Sequence, residues 1–150
     1  MKLTRYILAA GVFLGLASGG LAASAERTVT HLAADKVTVA FEKGMPLVEV
    51  ENYKVHASRR DAAGQAEVHE KDTDIVHVLT GTATLITGGT VIDPKAVAPD
   101  EIRGSAVQGG ETRKLLPGDV VIVPNGVPHW FKEVPGPLTY YVVKVRSAGK

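Results

Sequence analysis

The chain has 150 residues, enough for one domain and too few for two of ordinary size. Seventeen basic against 16 acidic residues give a net charge of +1, without the basic stripe a nucleic-acid binder carries, and 45% apolar content is that of a globular chain. There are no cysteines, which excludes disulfides, thiolate metal sites and thiol nucleophiles together.

The first 25 residues read as a secretory signal peptide. Lys2 and Arg5 form a short basic start, Ile7 to Ala17 is an apolar run without charge, and Ala23-Ser24-Ala25 fits the small-x-small cleavage rule. The apolar run is short for a bilayer span, which needs about 20 residues. Cleavage after Ala25 leaves a single domain over 26–150, with 15 basic and 16 acidic residues and a net charge of −1. The expected location is the periplasm or outside the cell, with no membrane association after cleavage.

Residues 26–35 read as a lead-in or short helix. Lys36 to Glu42 alternates apolar and polar, a strand pattern, and Gly44 and Pro46 break it. Leu47 to His56 is one long β-like run, and Asp61 to Gly64 is a turn. Ala66 to His69 is a short strand, Glu70 to Thr73 a polar loop, and Ile75 to Leu79 and Thr82 to Thr87 are strands around Gly81. Residues 93–110, with two prolines, Gly residues and several charges, read as a long loop: a cap over a barrel mouth, a reach to a neighbouring subunit, or a surface excursion. Thr112 to Leu115 is a strand. Val120 to Val123 is apolar on both faces and reads as a covered strand. Turns at 124–128 and 135–137 bracket a strand from His129 to Lys132, and Leu138 to Val145 is the last. Many short strands with Gly and Pro punctuation indicate an all-β sandwich or barrel.

Two segments carry paired motifs. The second has Gly118, Pro124, Gly126 and His129 at the spacing G-x5-P-x-G-x2-H-x3-N, with Glu133 where Asn is usual. The first pattern, G-x5-H-x-H-x4-E-x6-G, is matched by His69, Asp74 and Gly81. There Glu67 stands for the first His and Asp61 for the opening Gly. On these residues the chain resembles the cupin superfamily, with motif one at 61–81 and motif two at 118–133. The resemblance implies a double-stranded β-helix, or jelly roll, and a homodimer paired through sheet edges.

It also implies a divalent metal on His69, Asp74 and His129, with Glu67 as fourth ligand, as a general base beside the metal, or as a surface carboxylate. Two imidazoles and a carboxylate suit divalent iron. A carboxylate in place of the first His hardens the set and favours Fe or Mn, while Zn, Cu and Ni also fit. Residues two apart share a strand face, so Glu67 and His69 point together and His77 lies opposite Asp74, as a packed or interface residue. Arg59 and Arg60 read as solvated, with an anionic substrate as the alternative. Lys71 and Asp72 also read as solvated, His31 and His56 as structural. Phe131 shares the His129 face, Trp130 faces outward or meets a dimer partner, and one of Tyr140 and Tyr141 points inward. The expected function is a small-molecule metalloenzyme, oxygenase-like or isomerase-like. The alternative is a metal-free or non-catalytic binder of a sugar or organic acid.

Overall fold

A computed structural model describes residues 28–147. The expected signal peptide, residues 1–25, lies outside the described residues. The chain divides into two units, Met1–Thr30 and His31–Lys150. Only residues 28–30 of the first are described, without regular structure.

The second unit begins with a helix where the alternation predicts a strand. α1 spans Ala34–Lys43. Its inward stripe is Val37, Ala40 and Phe41, spaced i, i+3, i+4, while Val39 is exposed. Asp35 lies in the first turn and Lys43 in the last, and Gly44 closes the helix in the left-handed conformation at φ 65°. Burial of that stripe, with the edge-on packing of Phe41 against Tyr141 at 4.8 Å, outweighs the β-branched run Val37-Thr38-Val39.

Thirteen strands follow among the described residues: β1 Met45–Glu49, β2 Tyr53–Arg60, β3 Ala66–His69, β4 Asp72–Thr80, β5 Ala83–Thr87, β6 Thr90–Ile92, β7 Lys95–Ala98, β8 Glu101–Gly104, β9 Ala106–Gln108, β10 Glu111–Leu115, β11 Val120–Val123, β12 His129–Glu133 and β13 Leu138–Arg146. They form a five-stranded sheet, β1-β2-β13-β4-β11, a six-stranded sheet, β10-β5-β12-β3-β8-β7, and a β6-β9 ribbon. The strand pairs are antiparallel. This is the all-β double-stranded β-helix that the paired motifs imply.

Two apolar layers hold it. Between the sheets, Val76, Val78, Leu138, Tyr140 and Val142 meet Ala83, Leu85, Leu115 and Phe131. On the outer face of the six-stranded sheet, Ala66 and Ile86 pack with Val107, Val91 and Trp130. That second layer corrects the expectation of a long loop at 93–110. The segment contains β7, β8 and β9. With β6, β9 folds onto the back of the sheet, while β8 pairs with β3 and β7 with β8. Its two prolines, Asp93 and Asp100 lie in the turns between strands of three or four residues, with the two aspartates at φ 51° and 63°, while Lys95, Glu101, Arg103 and Gly104 lie in the strands themselves.

Three further expectations change. The run 47–56 is broken by a turn at 50–52 into β1 and β2. β11 is not covered on both faces: Val120 is 59% and Ile122 63% exposed. It is the edge strand of an antiparallel sheet whose outer face is shielded by α1 only toward β2 and β13. Lys71 and Asp72 are not simply solvated. Asp100 binds Lys71 at 3.0 Å and Arg146 at 2.5 Å, and Arg146 reaches Asp72 at 3.3 Å. These cations hold the Asp100 carboxyl below the usual carboxylate range. The cluster ties the 93–110 segment to the end of the barrel. Among the described residues no helix is long and apolar enough to cross a membrane.

The two faces of the sandwich should respond differently to truncation. Leu85→Ala, at a 1% exposed position, is expected to cost about 3 kcal/mol in urea denaturation. Ile122→Ala should stay within about 0.5 kcal/mol.

Candidate metal centre

The alternation of β3 sends Ala66 into the outer layer, with Val68 on the same face, and Glu67 and His69 to the inside. β12 lies between β3 and β5, and its first residue, His129, stands directly opposite Glu67. A turn fixes that register. Gly126, at φ 79°, donates its N–H to the His69 carbonyl at 2.8 Å. Asn125 donates its side-chain amide to the Glu70 carbonyl at 3.1 Å and its backbone N–H to the Thr73 hydroxyl at 3.2 Å. The Pro-x-Gly turn of motif two is thus docked on the end of motif one, and the positive φ is why the position needs glycine.

The imidazoles of His69 and His129 lie 5.1 Å apart between ring centres. Around them, Nε2 of His69 is 3.7 Å from Glu67 and 3.4 Å from Asp74, and Nε2 of His129 is 3.9 and 3.8 Å from the same carboxylates. Four ligands at tetrahedral metal bond lengths stand about 3.4 Å apart, so the spacing fits a small divalent ion. Nε2 of His69 is buried and has no hydrogen-bond partner among the described residues. Such an orphan is costly unless something accepts its lone pair or proton. Burial holds the His129 imidazole below the usual histidine range, so it is neutral at pH 7, the form that ligates metal. Its Nδ1–H, assigned toward the Val127 carbonyl at 3.4 Å, leaves Nε2 facing the cluster.

Glu67, His69 and His129 each offer one ligand atom within 4.8 Å of the others, and Asp74 lies outside that set of three. Both oxygens of Asp74 accept from Lys144 Nζ at 2.8 Å. Burial opposes ionisation of Asp74, but His69 and Lys144 together outweigh it and hold the carboxyl below its ordinary value.

The other candidates fall on both sides of the sheets. His77 is exposed on the outer face of β4, opposite Asp74. His56 bonds Glu49 at 3.1 Å and His31 is exposed. Phe131 and Tyr140 face inward with rings 5.4 Å apart, and Tyr141 faces α1. Trp130 points outward and donates to the Gly64 carbonyl at 2.8 Å. Arg59 is solvated and paired with Asp61, but Arg60 is not. It lies inside, with Nε donating to the Tyr140 hydroxyl at 3.0 Å and its guanidinium 4.6 Å above the Phe131 ring.

The arrangement matches known folds. A solved Bacteroides fragilis cupin protein superposes on 82% of this chain and 86% of its own, at TM-score 0.50 and 14% identity. The chain has the cupin fold. A Bacillus halodurans protein aligns over 83% of this chain and 87% of its own at TM-score 0.57 and 12% identity. The cupin domain of Cnp3 from Schizosaccharomyces pombe aligns over 69% of this chain and 60% of its own, at TM-score 0.50 and 13% identity. Comparison with sequence-family models and with curated protein sequences gives no match.

Within this cupin barrel, the motif spacings do not single out Lys144 or place Arg60 inside. Lys144 is detectable by another signal: it stands four residues after Tyr140, on the same strand face. The signal for Arg60 is the polar alternation Lys54, His56, Ser58, Arg60 in β2, which reverses the usual rule of apolar side in.

The Lys144–Asp74 pair makes a direct test. Lys144→Met leaves a buried carboxylate without its cation and should cost about 3 kcal/mol in urea denaturation of the metal-free protein. Adding Asp74→Asn should recover most of that loss.

Proposed function

We propose that the chain is an exported metal-binding cupin in which Glu67, His69 and His129 hold a divalent metal, and that it acts as a small-molecule metalloenzyme. The observation that carries this is the orphaned Nε2 of His69, buried among two carboxylates and a second, neutral imidazole. Two imidazoles and one carboxylate favour Fe or Mn by ligand hardness. An ion held there supplies a Lewis acid for a carbonyl or enediol, or a one-electron partner for dioxygen, the chemistry of isomerase-like or oxygenase-like reactions. Glu67 is the residue suited to proton transfer. Its strand places it beside both imidazoles, and at 15% side-chain exposure it still meets solvent. Asp74, clamped by Lys144, stands 3.4 Å from the same Nε2 of His69 and adds a second carboxylate beside the ion.

A second reading, a metal-free binder of a small organic molecule, is favoured by one observation. Arg60 beside Glu67 and Lys144 on Asp74 already balance both carboxylates. Pairing of two copies is proposed through β11, whose unpaired edge carries the exposed Val120 and Ile122.

Elemental analysis decides between the first two readings. We expect near one metal per chain after reconstitution with Fe(II) or Mn(II), and its loss in His69→Ala and His129→Ala. Absence of metal from the wild type after exposure to Fe, Mn, Cu and Zn would leave the binder. Light scattering addresses the third point: a dimer that Ile122→Lys converts to monomer supports pairing through β11, and an unchanged mass overturns it.

A further inference from the structure

Neighbouring arginines of β2 show how differently this chain treats the same side chain. Arg59, on the outer face, closes a complete fork on Asp61, with nitrogen–oxygen distances of 3.1, 3.1 and 2.7 Å. Arg60 points between the sheets and its side chain is only 21% exposed. Its Nε is used by Tyr140. Its nearest anion is Glu67, 3.5 Å from Nη2, well beyond the roughly 2.7–2.9 Å of a charged hydrogen bond. Among the described residues, Nη1 and Nη2 have no hydrogen-bond acceptor. Only Nε of this guanidinium is spent on the protein, and at 21% exposure its two Nη groups stay open to a ligand that enters from solvent.

The surroundings hold that fork in place. Phe131 lies beneath it at 4.6 Å. On another side is Gly64, where an added Cβ would stand 2.4 Å from Nη1. Gly64 is itself anchored, its N–H donating to the Phe131 carbonyl at 3.0 Å and its carbonyl accepting from Trp130 at 2.8 Å. Backbone and ring therefore cradle the guanidinium, and Glu67 lies between it and the two imidazoles.

Charge points the same way. Asp74 with Lys144 and Glu101 with Arg103 are close pairs that cancel. A divalent ion on Glu67, His69 and His129 retains one positive charge, because imidazole ligands are neutral. Arg60 adds a second, since Glu67 is then shared with the metal. The loaded site lacks an anion. A planar guanidinium fork matches a carboxylate's two oxygens.

We propose that Arg60 anchors the carboxylate of a small organic-acid substrate, placing the rest of that molecule at the Glu67–His69–His129 group. This rests on the metal-centre reading for what happens next to the acid, but the anchor itself is separable from it.

Isothermal titration tests it on wild type, Arg60→Gln, Arg60→Lys and Gly64→Ala, each metal-free and Mn(II)-loaded, with metal content measured alongside. The probes are acetate, pyruvate, lactate and succinate, each against its uncharged amide, plus inorganic phosphate. At least one acid should bind wild type about tenfold more tightly than its amide. That preference should vanish in Arg60→Gln, return in part in Arg60→Lys and fall in Gly64→Ala, which keeps the charge but displaces the fork. Metal content should be the same in all four.

If no acid outbinds its amide, or if the preference survives in Arg60→Gln, the anchor is overturned. Phosphate binding more tightly than every acid overturns the carboxylate class. A wild type that takes no metal overturns the metalloenzyme reading alone. The metal-free titrations then still decide Arg60 by the same comparison.

Discussion

The centre depends on the place of β12 between β3 and β5. That pairing sets His129 opposite Glu67, and the alternation of β3 then brings His69 to the same interior. Three side chains from two sequence motifs some 60 residues apart become neighbours through one backbone register. The register is held outside the centre, by a glycine N–H on the His69 carbonyl and an asparagine amide on the Glu70 carbonyl. A slip of one residue would turn His129 out and Trp130 in. Trp130 is fixed against that by its own packing in the outer apolar layer and its bond to Gly64. The Glu67–His69–His129 group is therefore supported by a layer on the opposite side of the sheet.

Polar groups inside the barrel follow a different logic from the apolar layer below them. Val76, Val142, Leu85 and Phe131 close the lower part. Beyond Val76 and Val142 come Asp74 with Lys144, and next to them the two imidazoles with Glu67, while Arg60 bonds Tyr140 on the Leu138 side of Val142. Carboxylates and cations alternate, so each buried charge has an opposite neighbour. Two breaks remain among the described residues: the buried Nε2 of His69 has no partner, and the partly exposed Arg60 fork has no protein acceptor. Both breaks touch Glu67, which makes it the residue through which ligand and metal would influence one another.

Much of this is legible in the sequence, and the misses have physical causes. The motif spacings place His69, His129 and Glu67 because turns and strand alternation are local. Phe131 and Trp130 follow from the same period of two, which also says that one of Tyr140 and Tyr141 points inward; that it is Tyr140 is shown by its packing on Phe131. The helix α1 reads as a strand because Val37, Thr38 and Val39 satisfy a two-residue period, while the stripe Val37, Ala40, Phe41 acquires meaning only against Tyr141. Strands β7 to β9 are hidden because three- or four-residue strands between Pro, Gly and Asp carry too little pattern of their own. Their apolar residues are sorted by pairing with β3 and β6. The exposure of β11 is a matter of sheet order, which residues 120–123 do not contain. The role of Asp74 turns on Lys144, 70 residues away, and a pair that distant is invisible to motif spacing.

Strand order has one more consequence. β13 pairs with β2 on one side and β4 on the other, so the middle of the five-stranded sheet is, among the described residues, the last strand made. Until Leu138 to Arg146 has been synthesised, β1 and β2 have no sheet to join, and Lys144 is not there to neutralise Asp74. Folding must then wait for contacts spanning most of the chain, which slows it. Late closure leaves the apolar layer between the sheets incomplete until the strand that joins β2 to β4 is in place.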